Sequence, residues 1–247
     1  MFKNHAAIVL AAGKGKRMKS DLPKVLQRIN GKPIIKILLD TLIPLNFKKI
    51  VVVVGHKGEM VQKELSAYPV LFAWQKEQLG TGHAVMVTKD LVADFQGTTL
   101  IALGDVPFLS ANTVRRLFDT HQKTKADATC LSAYVNNPEG YGRVVREAQT
   151  DRLKEIVEHK DASDDILQIN EINTGTFCFD NQLLFKTLMQ IDNNNSQREY
   201  YLTDCVKVMY NKGLRVSVVA AENPDEVLGV NSVEQLEYLS HKFSFGK

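Results

Sequence analysis

The chain carries only three cysteines in 247 residues, Cys130, Cys178 and Cys205, each in an apolar run and far from the others. That scarcity excludes a disulfide framework and any zinc-type Cys/His spacing. It predicts buried free thiols of the kind kept in a reducing cytosol, so a cytoplasmic location is expected. No stretch approaches the about 18 apolar residues of a membrane span. The start, Met1-Phe2-Lys3-Asn4-His5, lacks the apolar core of a secretory leader. Charge of one sign is also lacking. The balance of 31 Lys and Arg against 28 Asp and Glu leaves +3, and no basic stripe interleaves with aromatics, so neither nucleic acid nor a membrane is expected as a partner. Repeats and low-complexity tracts are missing; Asn193-Asn194-Asn195 is a short polar turn. What remains is 44% hydrophobic and 24% charged, the balance of a soluble globular chain long enough to bury a full core.

The densest information lies near the N-terminus. A strand, Ala6 to Leu10, runs into Ala11-Ala12-Gly13-Lys14-Gly15-Lys16-Arg17-Met18, then Ser20-Asp21-Leu22-Pro23-Lys24. Gly13 and Gly15 let backbone N–H groups close on a phosphate. Lys14, Lys16, Arg17 and Lys24 surround it with cations, which suits a polyphosphate. Two common loops are excluded. The Gly-x-x-x-x-Gly-Lys-Ser/Thr spacing is missing. A dinucleotide-binding turn would open a helix at once and place an acid after the second strand. Here Pro23 interrupts any such helix, and the second strand, Ile50 to Val54, ends in Gly55-His56.

Strand and helix patterns alternate. Strands are expected at 6–10, 49–55, 70–74, 98–103 and 127–135, with helices at 33–46, 57–66, 81–90 and 110–122. Runs such as Ile50-Val51-Val52-Val53-Val54 are apolar throughout, as in a sheet covered on both faces. The alternation argues an α/β fold with a doubly wound, mostly parallel sheet. Beyond 135 the pattern loosens. Strands are expected near 143–146, 153–158, 173–179 and 214–220, and helices near 180–190, 199–212 and 231–241. This half reads as a sugar-sized lid region built onto the same sheet, with one polar and mobile loop from Asp161 to Asn170.

In such sheets ligands sit beyond the carboxyl ends of the strands. Gln75 and then Gln78-Leu79-Gly80-Thr81-Gly82-His83 follow one strand there. Gly104-Asp105-Val106-Pro107 follows another. A lone Gly-Asp before a proline could be a turn cap. Facing a phosphate loop, Asp105 is better placed as an oxygen ligand for Mg²⁺.

These elements resemble the sugar-1-phosphate nucleotidylyltransferase family, whose signature is Leu10-Ala11-Ala12-Gly13-x-Gly15-x-Arg17-Met18 with Pro23-Lys24. Later motifs narrow the resemblance. They are Gly140-Tyr141-Gly142-Arg143, Val157-Glu158-His159-Lys160-Asp161-Ala162, Glu171-Ile172-Asn173-Thr174-Gly175, Glu199-Tyr200-Tyr201-Leu202-Thr203-Asp204 and Gly229-Val230-Asn231. In this order they resemble the uridylyltransferase domain of bifunctional bacterial enzymes that make UDP-N-acetylglucosamine, a cell-wall precursor. The resemblance covers residues 6 to about 240.

The resemblance implies a Rossmann-like, GT-A-like fold with a sugar-binding insertion. It implies one nucleotidyltransferase domain over 1–247, with a nucleotide part to about 135 and a sugar part beyond. The implied reaction is Mg²⁺-dependent uridylyl transfer from UTP to N-acetylglucosamine 1-phosphate, releasing pyrophosphate. Arg17 and Lys24 would be catalytic, at the phosphates. Leu10, Ala11, Ala12 and Gly13 would line the nucleotide, and Gln75, Gly80 and Thr81 would read the uracil edge. Gly142, Glu158, Asn173 and Thr203 would bond the sugar, with Tyr201 packing nearby. Asp105, which also touches the nucleotide, and Asn231 would hold Mg²⁺. His83 reads as structural, and His56 has no visible partner.

Two departures stand out. Leu103 occupies a place where related sequences usually carry Tyr, which bears on base affinity. The chain also ends at Lys247 with no hexapeptide period, so the β-helix acetyltransferase domain of the bifunctional enzymes, and the trimer it builds, are expected to be absent. The oligomeric state stays open. Two other readings compete: transfer to another sugar 1-phosphate or from another base, and a non-catalytic sugar-nucleotide sensor on the same fold.

Overall fold

The computed structural model describes residues 2–15, 18, 20–148, 150 and 152–243. Its centre is a mixed sheet in which the strands β1 (Ala6–Leu10), β4 (Lys49–Val54), β5 (Leu71–Trp74) and β6 (Thr98–Leu103) run parallel. The long β10 (Glu171–Asp180) lies antiparallel between β6 and β7 (Ala128–Tyr134). The strand β11 (Val216–Ala220) then joins β7 in parallel, giving the order β11-β7-β10-β6-β1-β4-β5. The pair β8 (Arg143–Arg146) and β9 (Leu153–Val157) hangs from β10. The second half of the chain thus completes the sheet that the first half begins.

The apolar strands are buried on both faces, as their composition predicts. In β1, Ala7 and Val9 enter one core and Ala6 and Ile8 the other; β4 divides Val52 and Val54 from Val51 and Val53 in the same way. The first core is closed by α1 (Ile34–Leu42), α2 (Gly58–Glu64) and α5 (Ala111–Lys123). The second is closed by α3 (Thr81–Met86), α7 (Asn181–Leu188) and α8 (Asp204–Asn211), with α4 (Lys89–Val92) beside them. Cys130, Cys178 and Cys205 are buried and free, and burial pushes each thiol pKa upward.

Four local details differ from the sequence reading. The helix expected over 33–46 stops at Leu42, because Pro44 and left-handed Asn46 (φ 61°) turn the chain through a 3-10 turn. The helix expected over 81–90 is two pieces, α3 and α4. A short hairpin of β2 (Arg28–Ile29) and β3 (Lys32–Pro33) turns on Asn30 and Gly31, both at positive φ, the geometry of a primed hairpin turn. The polar loop from Asp161 contains α6 (Asp164–Leu167).

The hairpin has a use. A third, small core joins Ile29, Ile34 and Ile37 to Met18, Val230 and Leu239. It docks α9 (Val233–Lys242) and the segment before it against the region that follows the phosphate loop. Residue 231 is thereby carried back beside residue 24.

Candidate active site

The site lies where β1, β4, β5 and β6 end. Leu10 is level with both Val53 and Leu103. The chain leaving β1 is pinned on one side by Ala11 N–H donating to Val53 O at 2.8 Å, and on the other by Gly104 N–H donating to Leu10 O at 2.8 Å. Gly104 has to be small there: a Cβ would lie 3.0 Å from Leu10 O. The phosphate loop and the Asp105 loop therefore emerge side by side.

Two cavities open at this edge. The first, of about 570 Å³, is lined by Leu10, Ala11, Ala12, Gly13, Lys24, Gln75, Gly80, Thr81 and Asp105 among others. Every described residue implied for the nucleotide lies on its wall. Gln75 is buried, its Nε2 donating to Gly80 O at 2.9 Å and lying 3.2 Å from His83 Nδ1. His83, read as structural, thus holds a residue of the cavity wall. The sequence reading gave no role to Gln78 and Glu199, which also line this cavity although both sit in quoted motifs.

The helix expected over 199–212 begins only at Asp204, for a reason that shapes this cavity. Residues 199–202 are stitched to the start of α3. Tyr200 N–H donates to Leu79 O at 2.8 Å, Gly82 N–H to Tyr200 O at 2.7 Å, and Leu202 N–H to Thr81 Oγ1 at 3.0 Å. Backbone groups engaged with a distant segment are drawn away from a helix ladder.

The second cavity, of about 200 Å³, is lined by Gly142, Glu158, Asn173, Thr203 and Asn231 among others. The two cavities share Leu10, Thr81, Leu103 and Asp105. Asn173 is aimed by an irregularity in β10, where the register shifts between Asn173 and Thr176 and Gly175 takes φ +74°. Its Oδ1 accepts the Gly175 N–H at 2.9 Å, and its own N–H donates to Gly142 O at 2.8 Å. Leu103 packs on the same glycine: a Cβ on Gly175 would lie 2.4 Å from Leu103 Cδ1. Tyr201 lines neither cavity. It is buried, with its hydroxyl accepting from Gln197 Nε2 at 2.8 Å and donating to Asp161 Oδ2 at 3.3 Å. Glu171 serves the frame, forming a bidentate pair with Arg146 at 2.7 and 2.8 Å. Arg17 lies outside the described residues.

Beside the shared Asp105, Glu158 is the acidic group on the wall of the second cavity. Its Oε1 accepts from Thr203 Oγ1 at 3.0 Å, and its Oε2 faces Gly142. The residue as a whole is half-buried, but its carboxyl points inward. Burial raises its pKa above the ordinary 4.5, and the negative charges of Asp204, Asp161 and Glu199 raise it further. An acid whose folded pKa exceeds its unfolded pKa weakens the fold as pH rises from about 4.5 through the raised value. Glu158→Gln is therefore expected to melt higher than wild type at pH 7.5, with the gap closing towards pH 4.5, while KM for the sugar phosphate that the resemblance implies rises about tenfold or more. A variant that melts lower at pH 7.5 with unchanged KM would show Glu158 to be a structural group.

Asp105 and Asn231 meet at the seam. Both bond one cation, the Lys24 ammonium: Asp105 through Oδ2 and Asn231 through Oδ1 at 3.0 Å. Two oxygens, one of them anionic, that already converge on a cation fit Mg²⁺, which takes one or two protein ligands and completes its shell with phosphates and water.

The comparisons with known proteins bear on the family and the fold. A family model described as "MobA-like NTP transferase domain" matches residues 7–169. The chain belongs to that family. It is a nucleotidyltransferase. Among curated relatives, the "Bifunctional protein GlmU" of Oceanobacillus iheyensis is 47% identical over 228 residues, which is 92% of this chain and 50% of that protein. The proteins of the same name from Enterococcus faecalis and Bacillus cereus are 47% and 48% identical, covering 93% and 92% of this chain and 50% and 49% of theirs. The chain thus spans about half the length of the curated relatives it matches. Among solved structures, a UDP-glucose pyrophosphorylase complexed with UDP-glucose superposes with a TM-score of 0.76 at 18% identity, over 97% of this chain and 98% of that one. A nucleotidyl transferase from Methanothermobacter thermautotroptrophicus gives 0.67 at 20% identity, over 97% of each. At these identities the likeness establishes the shared fold, a Rossmann-like nucleotidyltransferase architecture. No helix among the described residues is long and apolar enough to cross a membrane.

Proposed function

We propose that the chain transfers a uridylyl group from UTP to N-acetylglucosamine 1-phosphate, giving UDP-N-acetylglucosamine and pyrophosphate. The observation that carries this is the seam. A transfer between two substrates needs two pockets whose contents meet at one charged point, and Asp105 is common to both cavities. The ordered motifs, in their resemblance to uridylyltransferase domains that make UDP-N-acetylglucosamine, supply the choice of sugar and base.

In this reading UTP fills the larger cavity and the sugar phosphate the smaller. An oxygen of the sugar phosphate attacks the α-phosphorus in line. The new P–O bond forms as the bond from the α-phosphorus to the bridging oxygen breaks, and that oxygen leaves with pyrophosphate. No protein nucleophile is needed; positioning and charge compensation supply the catalysis. The amides of Gly80 and Thr81 and the side chain of Gln75 hold the base. Glu158, Asn173, Thr203 and the Gly142 backbone hold the sugar. Lys24 and Arg17 balance the phosphate charge. Asp105 and Asn231 would hold Mg²⁺, which when bound supplies positive charge to the phosphate oxygens. The domain would divide near residue 135 into a nucleotide part and a sugar part.

The test is a panel. The values of kcat/KM with UTP, CTP, dTTP and ATP against N-acetylglucosamine 1-phosphate, glucose 1-phosphate and galactose 1-phosphate should be highest for the UTP and N-acetylglucosamine 1-phosphate pair. A higher value for another pair would move the assignment to that sugar or base. Leu103 makes the panel informative, because an apolar side chain at the seam offers no hydrogen bond to either substrate.

A further inference from the structure

Asp105 and Asn231 lie far apart in sequence yet aim at one point, and three features fix that aim. Val230 N–H donates to Asp105 O at 2.9 Å, tying the segment before α9 to the loop after β6. Asn231 Nδ2 leans on Gly229 O at 3.5 Å, which turns its Oδ1 towards Lys24. Gly15 sits at φ +58°, and a Cβ there would lie 2.8 Å from Lys24 Cβ, so the phosphate loop packs directly on the lysine stem. The Lys24 and Asp105 side chains are only 17% and 12% exposed, so water screens this pair weakly. The ammonium thus takes the same two oxygens that a hard divalent cation would take.

Both cations cannot hold that position together. A divalent ion about 2.1 Å from each oxygen would stand against an ammonium bonded to the same atoms, and the two charges repel. We propose that Lys24 is the resting counter-ion of the metal position, surrendering Asp105 and Asn231 only when a nucleotide's phosphates offer its ammonium other oxygens. The inference rests on the nucleotidyl-transfer reading and adds a second role for Lys24 within it. In the free protein the lysine keeps the Asp105 carboxylate compensated. It also makes the site a poor binder of metal alone. Nucleotide and metal then bind with positive coupling: phosphates draw the ammonium away, and the metal replaces its charge at the two oxygens. By linkage each tightens the other by the same factor.

Mn²⁺, read by its free-ion paramagnetic resonance signal, is a direct probe, used on nucleotide-free protein. Lys24→Met keeps the stem under Gly15 and removes the charge; it is expected to bind Mn²⁺ at least about tenfold tighter than wild type. Lys24→Arg keeps a cation and is expected to stay weak. The non-reacting analogue α,β-methylene-UTP should tighten Mn²⁺ binding to wild type far more than to Lys24→Met. A Lys24→Met protein that binds Mn²⁺ no better than wild type would overturn the proposal. Should that variant not fold, wild type decides alone: equal Mn²⁺ affinity with and without the analogue rules out a lysine that blocks the site. Pyrophosphate release separates this inference from the reading beneath it. An active wild type with no gain in Lys24→Met sinks only the counter-ion role; no release from any substrate pair sinks the transfer reading itself.

Discussion

Asp105→Ala is expected to lower turnover about 100-fold to 1,000-fold while the protein stays folded. Among the described residues that the two cavities share, Asp105 is the one that carries a carboxylate, whereas Asn231 supplies a neutral oxygen. A phosphoryl transfer run by positioning and charge compensation loses both when that oxygen goes. The fold has less to lose. The backbone oxygen of residue 105 still accepts the Val230 N–H, and Lys24 keeps Asn231 as an acceptor. Raising Mg²⁺ should recover part of the turnover, because the defect is weakened metal binding. Turnover at low and high Mg²⁺ and the melting temperature check this together. Near wild-type turnover at moderate Mg²⁺ would remove Asp105 from the chemistry.

Gly80→Ala carries the largest expected loss of stability. Gly80 has φ +107°, where an L side chain is strained. Its new Cβ would lie 2.5 Å from Tyr200 O and 2.9 Å from both Tyr200 N and Glu199 Cβ. Backbone cannot rotate away as a side chain can. The stitching between 199–202 and the start of α3 must therefore open, and it forms one wall of the larger cavity. Strain and overpacking together are expected to cost about 2–5 kcal/mol. In a chain of this size that lowers Tm by on the order of 10 °C. KM for the nucleotide should rise in the same variant, with a smaller change for the sugar phosphate. A Gly80→Ala protein that melts with wild type would mean that the segment from 199 is free to shift.

What the sequence discloses here is local chemistry; what it hides is long-range contact. The glycine loop after β1 is legible because an apolar strand runs straight into Gly13 and Gly15, and nothing distant is needed to read it. Gly104-Asp105 and Gln75 are legible for the same reason, as polar residues at the ends of apolar strands. The expected helix runs through Pro44 to residue 46, although Pro44 is a local stop signal, and the stopping point of α1 depends on the left-handed turn at Asn46. The hairpin turn at Asn30-Gly31 carries a strong dipeptide signal, yet strands of two residues leave no period to detect. The delayed start of α8 has no local signal, since the groups that replace its first turn come from residues 79–82. Tyr201 lies in a motif that suggested the sugar, but the fold turns its hydroxyl to Asp161 and Gln197. The ion pair of Lys24 spans 81 residues to Asp105, and its second bond spans 207 to Asn231; only the folded chain brings them together.

The most direct measurement is on the folded wild-type chain with Mg²⁺, UTP and N-acetylglucosamine 1-phosphate, followed by phosphorus NMR. The account predicts that UDP-N-acetylglucosamine and pyrophosphate appear in equal amounts and that a chelator stops both. Unchanged UTP and sugar phosphate, from protein shown by its melting curve to be folded, would contradict it.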